Sequence, residues 1–283
     1  MYARAQTWWT ILRICLEERL VYRGDFWLGT LMRFLPIVTQ IFLWGAVFAG
    51  IGAAASAVSG EPRIVGYDYS DMIAYYLLTM VSRAFSSMPG LAAGIAMQIR
   101  NGEIKKYLIQ PVDLIGFLFL MRVAHKLVYY GIAFVPFALV FYLCRGYFPG
   151  WPPADVMLAF VASLIFAFLL GFFLEATLGM IGFWFLEVSS LLFVYMLLNF
   201  FLSGHMFPLE MMYETLPQPW STIVWLIPLQ YLAYFPAAVF LQKVSGPELW
   251  QGLAIQAAWV LFFIFACRWT FARGVKRYSG FGG

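Results

Sequence analysis

Charge is what this chain has least of: only 11% of its 283 residues are Asp, Glu, Lys or Arg, against roughly a quarter in an ordinary soluble domain. So few charges cannot clothe a water-facing surface, which excludes a soluble enzyme and a disordered linker protein. No polar block approaches the roughly 100 residues of a separate globular domain. The cysteines, Cys15, Cys144 and Cys267, are scattered and lack a near partner, so neither a disulfide framework nor a metal site is read from them. There is no G-x-x-x-x-G-K-[ST] loop, no G-x-G-x-x-G after a strand, no H-E-x-x-H and no paired Cys or His at metal-ligand spacing. No nucleotide, cofactor or metal is therefore expected on this chain. Nor does the net charge of +4 point to nucleic acid, because the basic residues flank apolar spans instead of forming a solvated patch.

What fills the sequence is apolar: 63% of it is hydrophobic and 20% aromatic. A bilayer core about 30 Å thick takes about 20 apolar residues per helical crossing. Runs of that kind extend over 31–51, 71–93, from a basic lead-in holding Arg122, His125 and Lys126 to Leu143, and over 155–174, 179–202 and 249–271. The expectation is an all-α integral membrane protein of six transmembrane helices, a single transmembrane domain over 1–283. Residues 1–28 read as a surface helix, with Trp8, Ile11, Leu12, Cys15 and Leu16 at spacings of three and four and Trp9 and Trp27 at headgroup level. Its interleaved charges are unlike a cleaved signal peptide, so this end is expected to remain in the mature protein. Residues 52–70 and 145–153 read as loops, and 95–113 as a polar excursion. Pro208, Pro217, Pro219, Pro228 and Pro236 forbid one straight helix over 204–247, which reads instead as short re-entrant helices on the outer side.

Basic residues orient the spans. With both termini in the cytoplasm of a cell with an inner membrane, the inner side holds Arg4, Arg13, Arg19, Arg23, Arg33, Arg100, Lys105, Lys106, Arg122, Lys126, Arg268, Arg273, Lys276 and Arg277. The outer side holds only Arg63, Arg145 and Lys243, the asymmetry of the positive-inside rule.

Ionisable groups inside the bilayer are costly and therefore informative. Arg83 falls about 18 Å into the second run and Glu187 about 13 Å into the fifth from the opposite side, so the two are expected to pair or to share a polar cavity. The alternative for Arg83 is a purely structural bond to backbone carbonyls. Glu175, at the turn between two runs, reads as a solvated end residue, and Gly90 and Gly94 form a weak G-x-x-x-G. His125 and His205 lack a nucleophile or carboxylate partner in sequence and read as interfacial contacts. Ile99, Ile104 and Leu108 stand at helical spacing, with Lys105 and Lys106 on another side. That is the form either of a short helix docking into another protein's groove or of a basic loop lying on anionic lipid.

Several runs then resemble one family. Ile99-Arg100-Asn101-Gly102-Glu103-Ile104, followed by Tyr107-Leu108-Ile109-Gln110-Pro111-Val112, is similar to the "I-R-x-G, then L-x-x-P-V" segment of membrane permease subunits of ATP-binding cassette (ABC) transporters of the type 2 exporter class. Leu202-Ser203-Gly204-His205-Met206-Phe207-Pro208-Leu209, Tyr234-Phe235-Pro236 and the ending Arg273-Gly274-Val275-Lys276-Arg277-Tyr278-Ser279-Gly280 continue the resemblance. It implies a coupling helix in which Ile99, Arg100, Gly102, Glu103, Ile104, Lys105 and Lys106 contact a separate ATPase subunit. It further implies a second permease, identical or merely similar, beside this one in the lipid, a substrate route at their interface, and ATP and Mg bound only on the partner ATPase. The chain itself is then not an enzyme. Aromatic spans (Phe193, Tyr195, Phe200, Phe201) suit an amphipathic cargo, although lipid-facing Phe is the commoner reason for them. The rival readings are a membrane enzyme acting on lipid-linked substrates, which needs a polar cluster that Arg122, His125 and Lys126 do not complete in sequence, and a secondary transporter, which needs an internal symmetry not seen here.

Overall fold

The computed structural model describes residues 2–21, 23–54, 63–185 and 187–278. The side chains of Arg4, Arg23, Trp27 and Arg33, positions 55–62 of the expected loop, and Ser279 and Gly280 of the ending lie outside the described residues.

Helices α1 (Tyr2–Val21) and α2 (Arg23–Ala54) open the chain. Next come α3 (Tyr69–Ser86), α4 (Leu91–Arg100), the single turn α5 (Lys105–Leu108) and α6 (Leu114–Leu143). Helix α7 (Ala154–Met180), extended by a 3-10 turn at Ile181–Phe183, precedes α8 (Ser189–Leu202). The short helices α9 (Glu210–Thr215), α10 (Trp220–Leu226) and α11 (Tyr234–Phe240) lead to α12 (Gly246–Arg277). Among the described residues no strand forms beyond one bridge between Ile64 and Tyr67. Among the described residues four stretches, Phe34–Gly52, Leu114–Leu143, Ala154–Phe183 and Gly246–Arg277, are long and apolar enough to cross a membrane. This is an all-helical, multi-pass membrane protein.

Two expected crossings are not continuous. The second is divided into α3, 18 residues and about 27 Å long, and α4, 10 residues and about 15 Å. Pro89 lacks an N–H to continue the ladder, and Gly90 takes the left-handed conformation at φ 70° that re-aims the chain. The run expected over 179–202 also divides. Gly179 and Met180 complete α7, and only the 14 residues of α8, about 21 Å, follow the next turn, too short for a 30 Å core by themselves. Helix α8 restarts where it does because the Glu187 carboxylate accepts the Ser189 N–H at 3.0 Å, satisfying a first-turn donor.

Two further boundaries shift. Helix α6 begins at Leu114, where Asp113 caps it by accepting the Gly116 N–H at 2.9 Å, so Arg122, His125 and Lys126 sit inside a helix and not on a lead-in. Helix α12 runs on past Phe271 to Arg277, ending on Lys276 and Arg277, charges that suit the negative end of a helix dipole.

Helix α7 is the shared wall of two cores. The outer one joins Tyr75 and Leu78 of α3, Phe160 and Leu170 of α7, Phe235 and Val239 of α11, and Leu249 and Leu253 of α12. The other gathers Leu91, Ile95 and Ile99 of α4, Leu114 and Ile115 of α6, Phe172 and Met180 of α7, and Cys267 of α12. Lipid tails are as apolar as these side chains, so close approach and satisfied polar groups must hold the helices together. Gly171 and Gly179 supply the approach: a Cβ on Gly171 would overlap the Ser86 backbone, and one on Gly179 would lie 2.7 Å from Ala92 O. Gly94 of the G-x-x-x-G meets nothing within 4 Å. Gln256 supplies polar glue, its buried amide donating to Ser163 O at 2.9 Å and Tyr231 O at 3.1 Å.

The first helix ends at Val21, short of the expected bound at 28, and α2 begins at Arg23. Cys15 is buried and Trp8, Ile11, Leu12 and Leu16 are half-buried, whereas Trp9, Ile14 and Leu20 face outward. The Trp8 ring packs over Gly116 of α6.

Candidate functional site

Breaking a helix in apolar surroundings strands carbonyls at the end of one half and N–H groups at the start of the other. Here neighbouring helices satisfy both with charge of the correct sign. Lys126 of α6, only 7% exposed, donates to Ala84 O and, at 2.8 Å, to Ser87 O at the end of α3. Tyr130 adds its hydroxyl to Ala84 O at 2.9 Å. Glu175 of α7 accepts backbone N–H bonds from Met88 and Ala92 about the start of α4, with Arg122 and Lys126 nearby. A cation at a helix C-terminus and an anion at an N-terminus each complement the macrodipole. Glu175 is thus a buried clamp, correcting the expectation of a solvated end residue, and Lys126 is a clamp as well and not an inner-surface charge. Gly171, Glu175 and Gly179, four apart, share the face of α7 that meets the break.

Beyond the break, α4 leads to the polar excursion. Ile99 is 3% and Ile104 1% exposed, packed in the same core as Leu114 and Met180, and Gly102 is buried at φ 73°. These residues root the segment in its own chain, so the expected contact of Ile99, Gly102 and Ile104 with a partner is corrected: hydrophobic residues at helical spacing here face inward. Arg100, Glu103, Lys105, Lys106, Leu108 and Ile109 are exposed, Ile109 at 84%. Lys106 and Glu103 pair at 3.3 Å along the turn. Asp113, at the end of the excursion, binds Arg268 of α12 at 2.6 Å. Burial raises the Asp113 carboxyl, but Arg268 and the Gly116 N–H outweigh it and hold the group below its usual range.

Glu187 does not meet Arg83. It is exposed at the start of α8, where the Ser189 hydroxyl and N–H, and then Arg100 at 2.9 Å, hold its carboxyl below the usual range. Helix α8 begins only after Glu187, which removes the residue from the depth its sequence position implied. The pair that forms, Arg100–Glu187, joins the end of α4 to the beginning of α8.

Arg83 instead lines a cavity of about 580 Å³ among α2, α3, α6 and the end of α8. Its walls include Ile37, Met80, Phe137 and Phe200, and its polar lining includes Gln40, Thr79, Ser87 and His205. The Arg83 charge reaches both His205 and Tyr195. His205, with no partner in sequence, thus shares a cavity with the charged residue from another helix.

The short helices between α8 and α12 are fastened to α3 and to the turn before it. Glu210 accepts the hydroxyls of Tyr67 at 3.0 Å and Tyr234 at 2.6 Å, Tyr75 donates to Gly204 O, and Lys243 binds Asp71 at 2.7 Å. Burial pushes the Glu210 carboxyl above its usual range even though Tyr234, Tyr67 and Lys243 oppose the shift. The Tyr–carboxylate cluster has no local sequence signature, since its members lie 143 and 24 residues apart.

A second, smaller cavity of about 300 Å³ holds Arg19, Arg122 and His125 beside Gly90 and Gly94. The residues considered for chemistry therefore do meet a carboxylate, Glu175 from α7, whose charge acts on Arg122. That carboxylate is engaged by backbone N–H groups, and Lys126 by carbonyls, which gives both a structural task. No group of three or more His, Cys, Asp or Glu able to hold a metal occurs among the described residues.

Among curated proteins none matches this chain in sequence. A family model described as "ABC-2 family transporter protein" matches residues 34–282.

Proposed function

Because the chain belongs to the ABC-2 family of transporter membrane proteins, we propose that it is the permease subunit of an ATP-driven exporter, with ATP and Mg bound and hydrolysed on separate cytoplasmic ATPase subunits. The family generally works with such ATPases. The observation that carries the reading is the coupling segment: Glu103, Lys105, Lys106, Leu108 and Ile109 are exposed at its tip, whereas Ile99, Gly102 and Ile104 are buried at its root and Arg100 is salt-bridged to Glu187 just before α8. A tip offered to a partner on a root that cannot yield is what a force-transmitting contact requires.

In this reading six crossings are made by α2, the α3–α4 pair, α6, α7, α8 and α12, with the segment 204–247 re-entrant from outside and both termini in the cytoplasm beneath an inner membrane. A second permease, identical or similar, covers α8, which has no buried residue along its length and exposes Phe193, Val194, Met196 and Leu197. Cargo leaves when ATPase closure moves the coupling segments. Arg100–Glu187 carries the movement to α8 and α4 carries it to the break, and both elements adjoin the Arg83 cavity.

Co-purification of the chain with its ATPase from native membranes tests this. Ile109→Asp and Lys105→Glu are expected to release the ATPase while the permease stays folded. Retention of the ATPase by both variants, or transport by the isolated chain without nucleotide, refutes the assignment.

A further inference from the structure

The smaller cavity holds a pair of cations that the permease reading leaves unused. One face of α4, with Leu91, Gly94 and Gln98, and one face of α6, with Arg122 and His125, form its walls, and Arg19 joins them from α1. Glycine keeps the space open. A Cβ on Gly90 or Gly94 would meet nothing within 4 Å, so here the G-x-x-x-G marks a cavity and not a close helix contact. Arg19 and Arg122 are both half-buried. Arg122 feels the Glu175 carboxylate of α7 and the Arg19 guanidinium, which repels it. Glu175 in turn accepts the N–H groups of Met88 and Ala92. Two guanidiniums thus come together from separate helices around about 300 Å³, at the lower end of small-molecule sites, roughly 300–1,000 Å³.

We propose that this cavity binds a phosphate group, held between the Arg19 and Arg122 guanidiniums. A guanidinium fork matches phosphate oxygens two at a time, and an anion between two cations turns their mutual repulsion into two attractions. Basic pockets between membrane helices take acidic lipid headgroups in this way, which makes an anionic phospholipid the favoured carrier of the phosphate. The volume suits a headgroup but not its acyl chains. These lie outside, along apolar surface such as Leu20 and Met97, 52% and 54% exposed beside Arg19 and Gln98. Bound there, the phosphate ties α1 to α6 next to the Pro89-Gly90 break. The site uses residues of this chain alone, so it goes beyond the permease assignment and does not depend on it.

The test uses the purified full chain in dodecylmaltoside, with dioctanoyl phosphatidic acid, dioctanoyl phosphatidylcholine and inorganic phosphate as probes and retention read by native mass spectrometry. Phosphatidic acid is expected to bind about tenfold more tightly than phosphatidylcholine, whose trimethylammonium cancels the phosphate charge. Arg19→Gln and Arg122→Gln should each weaken phosphatidic acid by about tenfold, the loss of one charge-assisted contact, and leave phosphatidylcholine nearly unchanged. Arg19→Gln keeps the test decisive should the Arg122 variant fail to fold. Gly94→Leu, built into the open space, keeps both charges and should abolish the preference by filling the cavity. Arg13→Gln, on the exposed side of α1 and paired with Glu17, should leave it intact. Displacement of the lipid by millimolar inorganic phosphate would give the site a ligand from solution, and resistance to displacement one from the membrane. Equal retention of the two lipids by the native chain overturns the proposal. So does undiminished phosphatidic acid binding to Arg19→Gln or to Gly94→Leu, or an equal loss in Arg13→Gln.

Discussion

Replacing Lys126 by methionine tests whether polar groups from neighbouring helices hold the broken α3–α4 pair together. The substitution keeps the length and apolar stem of the side chain and removes only the ammonium. Ser87 O then loses its 2.8 Å donor, whereas Ala84 O keeps the Tyr130 hydroxyl. One buried carbonyl left unmet costs about 1–3 kcal/mol. Losing a cation near Glu175 and at the end of α3 adds a smaller amount, up to about 1 kcal/mol, so the expected destabilisation is about 1–4 kcal/mol. Tyr130→Phe alone should cost only about 0.5–1.5 kcal/mol, because Lys126 still serves Ala84 O. The two changes together strip that carbonyl of both donors, and their combined cost should exceed the sum by about 1 kcal/mol. Unfolding in mixed dodecylmaltoside and dodecylsulfate micelles, followed by helical circular dichroism, measures all three. An additive cycle, or a Lys126→Met chain as stable as the native one, would sink the argument, since buried charges are sometimes replaced by apolar groups at no cost.

Gly179→Ala should destabilise by about 1–3 kcal/mol through overpacking, because its Cβ would lie 2.7 Å from Ala92 O, while Gly94→Ala, with open space around it, should be neutral or slightly stabilising in the same assay. Ile104→Asp, at 1% exposure, should unfold the coupling segment's root and lower the yield of folded chain, in contrast to Ile109→Asp, which size-exclusion profiles should show as native. The Asp113 carboxyl is held low, so its contribution is present above its ordinary value of 3.8 and is lost as pH falls below that value through the folded one. Asp113→Asn should therefore flatten the acid limb of a stability-against-pH profile, and an unchanged limb would refute the role given to Arg268. Glu210 works in the opposite sense. Its folded value is raised above 4.5, so stability falls as pH rises from 4.5 through the folded value. Glu210→Gln should remove that dependence.

Membrane character, all-helical class and family were legible because they depend on composition, on periodicity and on residues adjacent in sequence. The amphipathic face of α1 was legible for the same reason, and the prolines from Pro208 to Pro236 did mark a segment of short helices. Tertiary choices were not legible. A depth counted along the sequence placed Glu187 opposite Arg83, on the assumption that 179–202 is one helix, and that assumption failed where α7 ended at Met180. Ile99 and Ile104 read as a docking face because periodicity gives which side of a helix is apolar but not what covers it. Glu175 and Lys126 read as end charges because their partners are backbone groups of a distant break, and a backbone group carries no sequence signal. The one hint was Pro89-Gly90, which announces stranded donors and acceptors somewhere nearby; two opposite charges on facing helices were the answer to it.

That answer bears on how the proposed permease can move. Helix α3 contributes Tyr75 and Leu78 to the outer core, and α4 contributes Leu91 and Ile95 to the inner one, so the break is where the chain passes from one packed body to the other. A continuous helix crossing that boundary would resist relative displacement along its whole hydrogen-bond ladder. At residues 87–90 the ladder is replaced by side-chain bonds from Lys126, Tyr130 and Glu175, which can stretch or re-form singly. The compliant point lies beside Arg83 and Ser87, at the wall of the larger cavity, and α4 connects it directly to the exposed coupling tip. In the proposed reading, force applied at Lys105 and Ile109 meets its first yielding element at the cavity, whose shape transport would have to change.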